Sequence, residues 1–238
     1  MLQVYNKIED VEDKWNKEHY FINLKFLRPF YYNHNTIKHL FIVNEKTSLY
    51  AQIFKLEINK IRNYLKNSFL FKIIDRLFEF NVLYLANSFI TNIPSFKSEN
   101  KISLDSIITG IKEQFILIVI PDFLYRESNE KKEDYIKVEV EQEMTLDIRK
   151  KWTNLEHYLD DLNTKYRKKK KLILKNSDKI KIKRFSAKTF QSYTNDAQKL
   201  FNNIMEKSRF NGPDFNVNTF INLLHKNCLR IIGKFLLR

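Results

Sequence analysis

Lys165, Tyr166 and Arg167 are the residues whose types and spacing best suit chemistry on an anion. A guanidinium forks onto a phosphate or carboxylate and an ammonium adds a point charge; on a helix the two flank Tyr166 by about 100° on either side. The same trio also fits a solvated helix end, where cations complement the helix dipole. Lys168, Lys169, Lys170 and Lys171 follow directly and suit a nucleic-acid backbone, although four consecutive helical residues cannot all face one ligand. Trp152 and Tyr158 are candidates for lining a cleft or for an ordinary core. Asp122, after Pro121, follows an apolar run at the kind of strand end where α/β sites gather, and reads as a general base or as a turn cap. No catalytic base is singled out. The five histidines show no His-x-x-His or His-Glu spacing, and one cysteine, Cys228, excludes an internal disulfide and a Cys-based zinc site; no metal is expected.

The elements that must position these groups follow from periodicity. Val138, Val140 and Glu141 begin a strand-like run, and Thr153 with Glu156 forms a capping-box pattern. Leu155, Tyr158, Leu159, Leu162 and Tyr166 then make one apolar helical stripe, so a single packed helix is expected to deliver the cations from Lys165 to Lys171. Upstream, residues 8 to 27 read as a helix and an apolar docking segment that stops before Pro29. His39 to Val43 and Leu49 to Ile58 form a hairpin around Asn44, Glu45 and Lys46. Ile58 to Phe80 is expected to be partly helical, and Asn81 starts a strand running into a turn that Pro94 ends. Ser103 and Ser106 open a helix from Leu104 to Glu113. The unbroken apolar run from Phe115 to Ile120 predicts a central strand covered on both faces.

After the charged loop Arg126 to Asp134, Tyr135 to Val140 resumes a strand and Ile180 to Phe185 alternates as a half-exposed one. Ser186 to Lys207 reads as a helix with Phe190, Tyr193, Ala197, Leu200, Phe201, Ile204 and Met205 inward, and Val217 to Leu224 as another. Cys228 to Arg238 is an apolar end, expected as a docking terminal helix or as the point where a longer protein continues. The fold class is α/β, a mixed sheet flanked by helices.

With 43% hydrophobic residues, 20 Phe and 12 Tyr, the chain has ample material for a core, which excludes a disordered chain. The net charge of +14 is uneven. Residues 1 to 134 carry 19 Lys+Arg against 17 Asp+Glu, and residues 135 to 238 carry 23 against 11. Such a field attracts nucleic acid, nucleotide phosphates or an anionic membrane. The polar start and the lack of an 18-residue apolar run argue against a signal peptide and a spanning helix, which makes the cytoplasm the expected location.

The order of motifs resembles the FemAB-like, GNAT-related acyltransferases of the peptidoglycan biosynthesis and recognition type. It is carried by Glu139-Val140-Glu141-x-x-Met144-x-Leu146-Asp147-Ile148, Trp152, Tyr158-Leu159, Lys165-Tyr166-Arg167 and Arg209-Phe210-Asn211. Trp15-Asn16, Tyr20 to Leu27, Ala86-Asn87-Ser88 and Ile120-Pro121-Asp122-Phe123 precede these in the expected order. The resemblance implies a GNAT-like domain over 1–184, with 185–238 a helical extension that starts a second GNAT-like domain, so that the chain is expected to be incomplete and inactive by itself. It implies acyl or aminoacyl transfer to an amine, acyl-CoA or aminoacyl-tRNA as donor, and an anionic partner in the CoA phosphates or tRNA. The charge alone supports an alternative, a basic RNA-binding protein; a degenerate structural or adaptor member of the family is a third reading.

Overall fold

In the computed structural model, residues 2–15, 19–57, 79–90, 93–129, 135–137, 146–177, 180–207, 212–228 and 231–236 are described. By its contacts the chain divides into two units, Met1–Asp134 with Ser186–Arg230, and Tyr135–Phe185 with Ile231–Arg238. The chain leaves the first unit after Asp134 and returns to it at Ser186, so residues 186–230 group with the sheet-bearing unit.

The first unit is built on the expected hairpin. β2 (Lys38–Val43) and β3 (Thr47–Glu57) pair antiparallel with Phe41 opposite Tyr50 and His39 opposite Gln52. Asn44 makes the turn without glycine, its side-chain oxygen accepting from the backbone N–H groups of Lys46 at 2.8 Å and Thr47 at 2.7 Å. β1 (Gln3–Tyr5) adds to β2, and β4 (Glu79–Tyr84) pairs antiparallel with the far half of β3. β5 (Phe96–Ser98) pairs with the near half of β3, and β6 (Leu117–Val119) runs parallel to β4. The protein is thus α/β with a mixed sheet, in the order β1-β2-β3-β4-β6.

The strands covered on both faces are β2 and β3, not β6. His39 to Val43 and Leu49 to Phe54 are all buried, whereas Ile116 is 83% exposed and Leu117 and Val119 remain partly in solvent. β6 pairs with β4 alone among the described strands, so the unbroken apolar run is an edge here. An apolar run reports a need for burial; it does not report which strand meets that need.

Helices lie against this sheet. α1 (Leu24–Asn33) starts at Asn23, whose side chain caps Lys25 N–H, and it runs through Pro29 instead of stopping before it. Proline removes one helical N–H, but Pro29 is buried with Phe26, Leu27 and Phe30, and that packing outweighs the lost bond. Ahead of α1, the expected helix is replaced by short 3-10 turns at Glu9–Val11 and Tyr20–Ile22. α2 (Leu104–Gly110) is capped by Ser103 as its sequence predicts, with Ser103 Oγ accepting from Ser106 N–H at 3.2 Å, and it ends three residues before Glu113. Ser103→Ala is expected to lower stability by about 1 kcal/mol, seen as a lower urea midpoint with an unchanged m-value.

α3 (Asp122–Arg126) follows β6. Later in the chain, the helix expected from Ser186 divides into α6 (Ala187–Gln191), capped by Ser186 and Thr189 reciprocally, and α7 (Thr194–Lys207). Leu200 and Ile204, expected inward, are 64% and 67% exposed. α8 (Asn218–His225) packs on α1 and α6.

In the second unit the single packed helix is two pieces, α4 (Leu155–Asp160) and α5 (Thr164–Ser177), neither with a buried residue. The α4 cap is Asn154, accepting from His157 N–H at 2.9 Å, and Thr153 instead bonds the His157 ring. Asn163 restarts the chain by accepting from Tyr166 N–H, which breaks the expected stripe. β7 (Ile180–Phe185) forms as its alternation predicts and pairs antiparallel with β8 (Ile231–Leu236), so the apolar end is a strand and not a terminal helix. Of the strand expected over Tyr135 to Val140, Tyr135 to Lys137 are not in a strand and the remainder lies outside the described residues, as does the expected helix from Ile58 up to residue 78.

Candidate functional site

Parallel strands β4 and β6 end together, and the turns leaving them are Ala86-Asn87-Ser88 and Pro121-Asp122. Leu85 N–H donating to Val119 O at 3.1 Å carries the pairing to the last residue of the pair. In an α/β sheet, the carboxyl ends of parallel strands are where ligands gather. The first turn is held by a chain of buried polar side chains running back into the sheet.

Ser88 donates both its backbone N–H, at 2.8 Å, and its hydroxyl, at 2.6 Å, to Gln52 Oε1. Gln52 Nε2 donates to Tyr50 Oη at 2.9 Å, and Tyr50 Oη lies 2.5 Å from His39 Nδ1. His39 Nε2 reaches His34 O at 3.2 Å. Because Nε2 faces a carbonyl it must carry the proton, so Nδ1 accepts from the tyrosine hydroxyl and the ring is neutral. Gln52 and Tyr50 are fully buried and His39 nearly so. Burial drives the His39 pKa down to about 4 and keeps the Tyr50 hydroxyl protonated, its pKa being pushed up by the same desolvation.

His34 is fixed similarly. Its Nδ1 donates to Phe30 O at 2.9 Å, and its Nε2 accepts from Asn216 N–H at 3.0 Å, tying α1 to the segment that enters α8. The ring sits among Phe30, Phe89 and Phe215, with centroids 4.2 to 6.4 Å away, and burial lowers its pKa too. At the turn itself Ser95 Oγ accepts from Asn87 N–H and Ser95 O from Tyr50 N–H, while Asn87 Oδ1 accepts from Phe89 N–H. Asn87 Nδ2 is buried without a hydrogen-bond partner. At the Ala86-Asn87-Ser88 exit the arrangement supplies rigid, neutral hydrogen-bonding groups beside a strand end, which suit orienting a polar ligand better than proton abstraction.

Asp122 begins α3 in the first unit and pairs with Arg126, both exposed, at the favourable end of that helix's dipole. Trp152 and Tyr158, in the second unit, do meet, ring edge to face with centroids 5.0 Å apart. Asp161, which sequence reasoning missed, is the centre of their cluster. Its carboxylate accepts from Trp152 Nε1 at 3.0 Å, Arg149 Nη1 at 2.8 Å and Lys151 Nζ at 2.5 Å, and the Lys151 bond heads the causes that lower its pKa. Arg149 also lies over the Trp152 ring at 5.4 Å. This is a local knot that spends its charges on itself.

Lys165, Tyr166, Arg167 and Lys168 to Lys171 all lie on α5, and Tyr166 is 52% exposed, away from any core. Gln52, Tyr50 and His39 had a visible signal, since polar residues interrupt both β runs on the same face, but a strand's alternation alone does not tell solvent from a buried network. Among the described residues no group of three or more His, Cys, Asp or Glu gathers to hold a metal, and no helix is long and apolar enough to cross a membrane. Compared with protein-family models, with curated proteins and with solved structures, the chain matches none.

Proposed function

We propose that this chain is a GNAT/FemAB-like acyltransferase-type protein of the cytoplasm, orienting an amine against the acyl carbon of acyl-CoA or of aminoacyl-tRNA. In such a transfer the amine nitrogen attacks the carbonyl carbon, the C–S or C–O bond breaks, and the nitrogen's proton leaves to a base while the departing sulfur or oxygen is protonated. The observation that carries the reading is the parallel β4–β6 pair in an otherwise antiparallel sheet, whose two exits are Ala86-Asn87-Ser88 and Pro121-Asp122. Both belong to the motifs that carry the resemblance. The buried chain from Ser88 to His39 supports it further by making one exit rigid.

A GNAT pyrophosphate site uses a glycine-rich turn, and here Gly110, Gly212 and Gly233 stand far apart, so donor phosphates would rest on cations instead. The test is thermal denaturation of the full chain with acetyl-CoA and, separately, with charged tRNA. A donor present at 100 times its Kd is expected to stabilise by about 2.7 kcal/mol, and Ser88→Trp, which fills the strand exit, to abolish the shift. Stabilisation by neither donor overturns the reading.

A further inference from the structure

We infer that α5 is a docking rod for double-stranded DNA, seated in the major groove and held by phosphates on both sides. Seven of its fourteen residues are cations, Lys165, Arg167, Lys168, Lys169, Lys170, Lys171 and Lys175, and none is acidic. No cation of α5 forms an ion pair with another described residue, and the helix buries nothing. Their distribution decides between partners. At about 100° per residue, Lys168, Lys165, Lys169 and Arg167 stand near 40°, 100°, 140° and 300° round the axis, and Lys170 near 240°. Cations therefore surround the helix instead of forming one stripe.

The apolar residues Leu172, Ile173 and Leu174 are consecutive, each at least half exposed, and spread over about 200°. A helix lying on a membrane needs one apolar face beneath a polar one, which α5 lacks. A groove with phosphate rows on both walls matches charge on all sides. The helix, roughly 10–12 Å across and about 21 Å long, fits the B-form major groove, about 12 Å wide, whereas the deep, narrow major groove of A-form RNA does not admit it. Lys165 with Lys168 and Lys169, Arg167 with Lys171, and Lys171 with Lys175 are like charges three or four residues apart, an arrangement that disfavours the free helix and that phosphates relieve.

Anisotropy of a labelled 20-base-pair DNA duplex with the full chain tests this independently of any acyl donor. Binding at 50 mM salt is expected to weaken roughly 100- to 1,000-fold at 200 mM, as contact with four to six phosphates requires. Replacing Lys168–Lys171 by Gln, which preserves helix propensity, is expected to weaken binding at least about 10-fold, with helicity checked by circular dichroism; replacement by Arg is expected to retain it. Absence of binding at 50 mM salt overturns the inference. So does full binding by the Gln variant, or tighter binding to duplex RNA or to phosphatidylserine vesicles than to DNA.

Discussion

Acidification from pH 7 to 4 is expected to remove up to about 3 kcal/mol of stability from the sheet-bearing unit through His39 alone. The ring is neutral in the fold, because Nε2 donates to the His34 carbonyl and Nδ1 accepts from Tyr50. A second proton would face the tyrosine hydroxyl, which is held protonated, in a site with no carboxylate among its hydrogen-bond partners. The folded pKa near 4 lies below the ordinary value of 6.5. Between those two values the unfolded chain takes up a proton that the fold refuses, so stability falls as pH falls through the window and is unaffected by this residue above it. His34, also lowered by burial, adds in the same direction.

Urea titrations at pH 7.5, 6, 5 and 4 on the native chain and on His39→Gln isolate the effect, since Gln keeps a donor and an acceptor but does not titrate. The native curve is expected to fall more steeply by up to about 3 kcal/mol over the window. Parallel curves would show that residue 39 titrates in the fold as it does in the unfolded chain, and so is not held neutral by burial. A loss of this size is a large part of a typical domain's stability of about 5–15 kcal/mol.

Local signals carried the hairpin, the Ser103 cap and β7 into the sequence reading because each rests on residues within a few positions of one another. Asn44 makes a turn by itself, and Ser103 needs only Ser106. Failures came where tertiary context decides. Pro29 sits inside α1 with its ring buried in the fold, a placement that a local rule about helix breakers does not register. The run Phe115 to Ile120 has the composition of a central strand yet ends the described sheet, while β2 and β3, which do contain His39, Tyr50 and Gln52, occupy its middle. Polar residues can occupy that middle because they satisfy one another across 2.5 to 2.9 Å. The stripe from Leu155 to Tyr166 had the right period but not the right local chemistry, for Asn163 offers the backbone a better start than continuation. The candidate site was legible only as two separate short motifs, Ala86-Asn87-Ser88 and Ile120-Pro121-Asp122-Phe123; what joins them is a parallel pairing between residues more than thirty positions apart.

Gln52→Leu is expected to cost about 2–4 kcal/mol although the side chains are close in volume. The amide oxygen of Gln52 takes two donors from Ser88 and its nitrogen gives one to Tyr50. Leucine takes the acceptor from the part-buried Ser88 backbone N–H and leaves the Tyr50 oxygen short of a donor where water does not reach, Gln52 and Tyr50 being fully buried. The Ser88 hydroxyl, half-buried, can turn to solvent and costs little. Tyr50→Phe removes the middle of the chain instead, stranding His39 Nδ1 and Gln52 Nε2, and is expected to cost about 1–3 kcal/mol. Since both substitutions delete the same 2.9 Å bond, the double variant should cost about 1 kcal/mol less than the two singles added together. Strict additivity would mean that Gln52 and Tyr50 act separately, the Ser88 turn then being braced by Gln52 without help from the Tyr50–His39 end of the chain.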